Sequence, residues 1–276
     1  MRWPTAAALL LAIAAPALAQ VPTVDVRPFI AREISAEVHL LSTPADYYGP
    51  VVGNVSIVEQ RDGYVVVDTG LTAANGQAIV KYIRARSNKP VKAVVITHWH
   101  NDHPQGASAI RAAWPNVRII ATEQTKEGML GPELGELVGL EPGQQYVAKV
   151  KELNAEQQQA LDKLIADPAT AEDRVERAKK AKLDFAAFAD TYAGTHVIPP
   201  TETFSDRLTI DDPAVPVEVR FLGRANTAGD AMVWLPKQRI AMSGDMVVWP
   251  IPFGFFSFPG DWVQTLGRLK ALGYRT

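Results

Sequence analysis

Thr97-His98-Trp99-His100-Asn101-Asp102-His103 follows directly on the apolar run Val91 to Ile96, and this junction decides the fold. The run has the composition of a strand buried on both faces. In the loop at its end, three of the chain's five histidines and one carboxylate fall within six residues. Alternate residues of an extended backbone share a side, so His98 and His100 face the same way and can hold one metal ion. Asp102 and His103 follow closely enough to serve a second ion or to orient water.

The flanking sequence completes an α/β domain. Val51 to Val58 and Tyr64 to Val67 flank the charged turn Gln60-Arg61-Asp62-Gly63, a β-hairpin signal. After Asp68-Thr69-Gly70, the apolar residues Ile79, Tyr82 and Ile83 recur at helical spacing, which gives strand, helix, strand up to Val91. A second such unit is predicted from a helix at about Pro104 to Ala113 and a strand at Val117 to Ala121. Between 122 and 195 the chain turns to Gln, Glu, Lys, Ala and Leu, the signature of a helical insert. Strands resume at Asp206 to Ile210, Val217 to Leu222, Ala231 to Leu235 and Arg239 to Met242, and a last helix is predicted over Asp261 to Leu272. One domain over residues 20–276, interrupted by the insert, accounts for this order.

Composition narrows the chemistry. Charged residues are nearly balanced, 28 Lys+Arg against 30 Asp+Glu, with no long basic run, so a nucleic-acid partner is not expected. The absence of cysteine excludes disulfides, thiolate zinc sites, iron–sulfur clusters and a thiol nucleophile. Any metal must therefore be held by imidazole, carboxylate or amide oxygen. At the N-terminus, Arg2 precedes the apolar stretch Ala6 to Ala15 and a small-residue cleavage site ending at Ala19. Residues 1–19 read as a secretory signal peptide, too short to span a bilayer. A periplasmic or secreted protein with no membrane anchor after cleavage is expected.

His98-x-His100-x-Asp102-His103 after a hydrophobic strand resembles the signature of the metallo-β-lactamase fold superfamily, which includes zinc β-lactamases, glyoxalase II-type thioesterases, lactonases and nucleases. Val65-Val66-Val67-Asp68-Thr69-Gly70, Gly229-Asp230 and Ser243-Gly244-Asp245 match in the expected order. The resemblance runs from about Val51 to Leu272 and implies a four-layer αββα sandwich with metals at the sheet edge. It implies that His98 and His100 bind a first zinc, that Asp102 and His103 bind a second, that Asp245 bridges them, and that Asp68 supports the metal loop from below. Two departures stand out. Asn226 occupies the place of the third first-metal histidine, and an amide oxygen is a weaker zinc donor than imidazole. The family's last histidine lies on a strand after the final helix, whereas this chain ends at Arg275-Thr276. The expectation is a shortened domain without its C-terminal strand that does not bind two zinc ions tightly, with a single ion held either by His98, His100 and Asn226 or at a site shifted towards Asp102, His103 and Asp245.

The aromatic, proline-punctuated stretch Met246 to Pro259 reads either as a stiff apolar wall beside the metals or as packing for the last helix. With Trp99, its residues Trp249 and Phe253 are candidate substrate contacts. His39 and His196 read as structural or surface residues. The function that follows is an exported zinc-dependent hydrolase. Zinc lowers the pKa of its water from ~15.7 towards ~7, and the resulting metal-bound hydroxide attacks the carbonyl of a small β-lactam, thioester or lactone while Asp102 orients the water or accepts its proton. The competing reading is a catalytically impaired protein of the same fold that binds a small molecule or partner without turnover.

Overall fold

The computed structural model describes residues 23–26, 29–131, 144–249 and 251–276. The expected signal peptide at 1–19 lies outside the described residues. Within them, eight strands form one sheet in sequence order: β1 (Thr23–Val26), β2 (Phe29–Ser35), β3 (Val38–Ser42), β4 (Val55–Glu59), β5 (Tyr64–Val67), β6 (Val91–Val95), β7 (Arg118–Thr122) and β8 (Glu202–Phe204). Strands β1 to β5 pair antiparallel, and β5 to β8 pair parallel. The connections dictate this change. A tight turn closed by the Gln60 N–H donating to the Gly63 carbonyl (2.8 Å) reverses the chain between β4 and β5. Helices α1 (Ala73–Arg86) and α2 (Ala107–Ala113) then cross over, which returns the chain in the same direction.

A second sheet contains β9 (Arg207–Ile210), β10 (Val217–Phe221), β11 (Ala231–Leu235) and β12 (Ile240–Met242), all antiparallel. Alternation along the strands assigns the layers. Tyr64, Val66 and Val94 pack outward beneath Ile79, Ile83 and Ile110 of α1 and α2. Val65, Val67, Ala93 and Val95 pack inward against Val217, Val219, Val233 and Leu235 of the second sheet. The far face of that sheet carries Met232 and Trp234, covered by Trp262 and Leu269 of α6 (Pro259–Ala271). Helix, sheet, sheet, helix is the αββα order expected from the sequence. Burying a large apolar side chain contributes ~1.5–3 kcal/mol, so the three seams supply most of the stabilisation.

The stretch predicted as a helical insert holds α3 (Glu123–Met129), α4 (Gln144–Ala166), α5 (Glu172–Phe188) and a 3₁₀ turn at Ala189–Tyr192. Helices α4 and α5 share a small core around Leu161, Ala178 and Ala181. Val150 and Tyr192 then dock the hairpin onto Leu71 of the main body. Helix α2 starts at Ala107, later than predicted, because Pro104 to Gly106 form a turn against the β5 side of the domain. Strands β1, β2 and β8 escaped the sequence reading. Strand β2 mixes Arg and Glu into its run, and β8 has only three residues, all half-buried. At the other end, the Arg275 N–H donates to the Arg239 carbonyl (2.8 Å) and the Ala241 N–H to the Thr276 carbonyl (2.9 Å), so the last residues lie beside β12.

Two glycines let α1 and the metal loop approach closely. A Cβ on Gly76 would lie 2.0 Å from the Gly106 carbonyl oxygen, and one on Gly106 would lie 2.1 Å from the Thr69 carbonyl oxygen. A Cβ on Gly267 in α6 meets nothing within 4 Å. Urea denaturation should therefore show Gly76→Ala and Gly106→Ala each destabilised by ~1–3 kcal/mol or more. Gly267→Ala should gain ~0.8–1 kcal/mol from helix propensity. Equal responses from all three would contradict the close approach.

Candidate metal centre

The site begins with Asp68, at the end of β5. Its backbone adopts φ +59°, a left-handed conformation that Asp tolerates better than most residues. This geometry aims its carboxylate under the histidine loop. Oδ1 accepts from the Thr97 N–H and Oδ2 from the Thr97 hydroxyl, both at 2.8 Å. Oδ2 also lies 2.8 Å from His103 Nδ1. The neighbouring Thr69 donates through both its N–H and its hydroxyl to the His103 carbonyl, each at 2.7 Å. The ends of the loop, Thr97 and His103, are thus tied to one turn.

These bonds also orient the imidazoles. Because the Thr97 hydroxyl hydrogen is directed to Asp68, its oxygen is left to accept from His98 Nδ1–H at 3.0 Å, so His98 Nε2 presents a lone pair inward. Likewise, a proton on His103 Nδ1 donated to Asp68 turns Nε2 towards the site. His98 Nε2 lies 3.0 Å from His100 Nδ1 and 3.6 Å from Asp245 Oδ2. His103 Nε2 lies 3.4 Å from Asp245 Oδ1 and 3.6 Å from Asp102 Oδ2.

Three donors converge most closely: His98, His103 and Asp245, each offering one atom within 4.8 Å of the others. This set takes one histidine from each of the pairs implied by the resemblance, together with the carboxylate placed between them. His100 and Asn226 flank it on one side, with Asn226 Nδ2 at 3.4 Å from both His100 Nδ1 and Asp245 Oδ2. Asp102 flanks it on the other. His100 Nε2, His103 Nε2 and Asn226 Oδ1 are buried without a hydrogen-bond partner among the described residues. Each such orphan costs ~1–3 kcal/mol, and a cation held by these donors satisfies them. The residues present therefore fit a metal ion.

Electrostatics point the same way. Burial, reinforced by His103 and His100, holds His98 well below the usual histidine range. Burial and then His103 push His100 down to about 4. Both imidazoles are thus neutral, the form that binds metal. Burial disfavours charge on His103, but Asp102 and Asp68 outweigh it and raise its pKa well above the usual value. Burial raises Asp102, whereas Asp245 falls below the carboxylate range because His103 and His100 outweigh its burial. The cluster is built to enclose positive charge.

Asp230 is a supporting residue that the sequence did not single out beyond its place beside Gly229. Its Oδ2 accepts from the Thr227 N–H (2.6 Å) and hydroxyl (2.8 Å), fixing the loop that delivers fully buried Asn226. Burial pushes the Asp230 carboxyl up to about 6. The signal was present in Thr227-Ala228-Gly229-Asp230, a side-chain-to-backbone turn pattern. Of the candidate substrate contacts, Trp99 and Phe253 line a cavity at the donor cluster, with Phe253 5.4 Å from the His100 ring. Trp249 does not line it and is 90% exposed. His196 bonds to the Gly194 carbonyl, and His39 is buried against Tyr82, both away from the cluster.

Comparison with known proteins identifies the family and the fold. The linear primary-alkylsulfatase of Pseudomonas sp. (strain ATCC 19151) is 26% identical over 229 residues, a match spanning 78% of this chain but 38% of that protein. This chain therefore spans well under half the length of that relative. The hydroxyacylglutathione hydrolase of Prochlorococcus marinus (strain MIT 9312) is 34% identical over 74 residues, covering 27% of this chain and 28% of its own length. Among solved structures, a metallo-beta-lactamase from Erythrobacter litoralis superposes with a TM-score of 0.58 at 17% identity, over 91% of this chain and 86% of that one. The profile of the metallo-beta-lactamase superfamily matches residues 48–275, which span the parallel half of the first sheet, the whole second sheet and every residue of the donor cluster, and the chain belongs to that superfamily of hydrolases.

Proposed function

We propose that the protein is an exported, zinc-dependent hydrolase of a small acyl compound: a thioester, lactone or β-lactam. The convergence of His98, His103 and Asp245, with His100 Nε2 and Asn226 Oδ1 buried and unpartnered beside them, carries this reading. His98, His100 and Asn226 would hold one ion, Asp102 and His103 a second, with Asp245 between them. When bound, zinc supplies a lowered pKa for coordinated water and polarises the carbonyl under attack.

The chain's own groups supply positioning and proton transfer. Asp102 lines the cavity beside His103, where it accepts a proton as water adds to the acyl carbon. The bond from that carbon to sulfur, oxygen or nitrogen then breaks, and the leaving group takes up the proton. Asp68 contributes indirectly by holding Thr97 and His103. Trp99 and Phe253 keep the approach apolar. Export is supported by the charged, apolar and small-residue pattern of residues 1–19.

Asn226 favours the second reading, an impaired site, because its neutral amide is a weaker zinc donor than imidazole.

Two measurements decide these points. Purified protein should contain stoichiometric zinc by elemental analysis, and chelation should abolish hydrolysis of simple thioesters or lactones until zinc is returned. Asp68→Asn should lower metal affinity or activity by ~10- to 100-fold with an unchanged circular dichroism spectrum, and His98→Ala should cost at least as much. Separately, Asn226→His should tighten zinc binding by ~10-fold or more. Chelator-sensitive turnover by the unmodified protein would exclude the impaired reading, and turnover that emerges only in Asn226→His would establish it.

A further inference from the structure

A cavity of about 970 Å³ opens at His100, Asp102 and Asp245 and extends away between two apolar walls. One wall comes from the insert, where Leu153 of α4 and Phe185 and Phe188 of α5 stand beside the polar Asn154, Glu156 and Gln157. The other comes from the aromatic loop after Asp245, through Ile251, Phe253 and Phe256. Trp99 joins them at the base, 5.2 Å from the Phe256 ring. The charges along this surface are all of one sign. Asp102, Asp245 and Glu156 line it, and no Lys or Arg does so among the described residues.

A substrate bearing a carboxylate, sulfate or phosphate away from its reacting bond would have to shed water there with no cation to receive it. Removing such a charge from water without a partner is strongly unfavourable. This concerns the part of a substrate that lies between the two walls, not the group that meets the donor cluster. Apolar groups, by contrast, gain from every methylene that enters. We infer that the insert and the aromatic loop together select an uncharged acyl compound with an elongated apolar arm, seated between Leu153 and Phe253. This rests on the hydrolase reading for its reacting end and adds the chemistry of the remainder. It places thioesters and lactones with neutral apolar arms ahead of β-lactams that carry a free carboxylate.

Binding and turnover separate the two readings. Isothermal titration of the full chain with methyl alkanoates of four to twelve carbons should show affinity rising about threefold to fourfold per added methylene until the cavity is filled. The monomethyl esters of the matching alkanedioic acids, which carry a carboxylate at the end remote from the ester, should bind at least tenfold more weakly. Leu153→Asp and Phe253→Ser, both at half-exposed positions, should each flatten the chain-length dependence. The exposed substitution Glu156→Lys should strengthen half-ester binding relative to the alkanoate ester. Equal or tighter binding of these half-esters by the unmodified protein, or affinity independent of chain length, overturns the inference. In parallel, p-nitrophenyl esters of the same acyl series report turnover. Hydrolysis without chain-length preference would leave the hydrolase reading standing and remove this one. Length-dependent binding of the methyl esters without hydrolysis of any ester would do the reverse.

Discussion

The carboxylate of Asp68 is the constraint on which the rest of the site depends. It receives the backbone and side chain of Thr97 and faces His103 Nδ1, so the first and last residues of the histidine loop share one acceptor group. Its effect reaches past mechanical support. By taking the Thr97 hydroxyl hydrogen, it forces that oxygen to accept from His98, and so determines which ring nitrogen of His98 faces inward. The positive φ at Asp68 is the local conformational cost of reaching both partners at once.

Around this anchor the charges are arranged unevenly. Three carboxylates, Asp68, Asp102 and Asp245, surround His103, while His98 and His100 are kept neutral chiefly by burial. A low-dielectric pocket of this kind is unfavourable without a compensating cation. The same carboxylates that favour a metal ion at the mouth make the adjoining cavity unsuited to anionic substituents. On the proposed reading, the donor cluster and the apolar walls act as separate filters, one for the reacting bond and one for the molecule that carries it.

The insert has a role in this division that its composition conceals. Much of α4 and α5 is solvated, and ion pairs such as Lys179–Glu176 and Lys180–Asp184 stabilise exposed helix surface only weakly. Yet Val150 and Tyr192 fasten the hairpin to Leu71, on the turn that leads into α1. That attachment brings Leu153, Phe185 and Phe188 across from the aromatic loop. The choice between wall and packing for residues 246–259 resolves by position. Phe253 and Phe256 face the cavity, Met246 packs beneath α6, and Trp249 points to solvent.

The sequence by itself determined the strands around β5 and β6, the two crossover helices and the gathering of donors between His98 and His103. Those features are written in local spacing: continuous apolar runs for strands buried on both faces, helical periodicity between them, and alternate histidines in extended chain. Through the motifs that carry its family resemblance it also implied the αββα order and placed Asp68 and Asp245 on the list of site residues. Tertiary structure decided which donors meet. His98, His103 and Asp245 converge, although residues 103 and 245 are far apart in the chain, because β6 and β12 lie in different sheets whose packed faces bring their ends together. It also decided that the insert forms a cavity wall and that Trp249 does not contact the cavity. Spacing along a chain records which residues share a face, whereas contacts between distant segments exist only once two sheets and a helical hairpin have closed on one another.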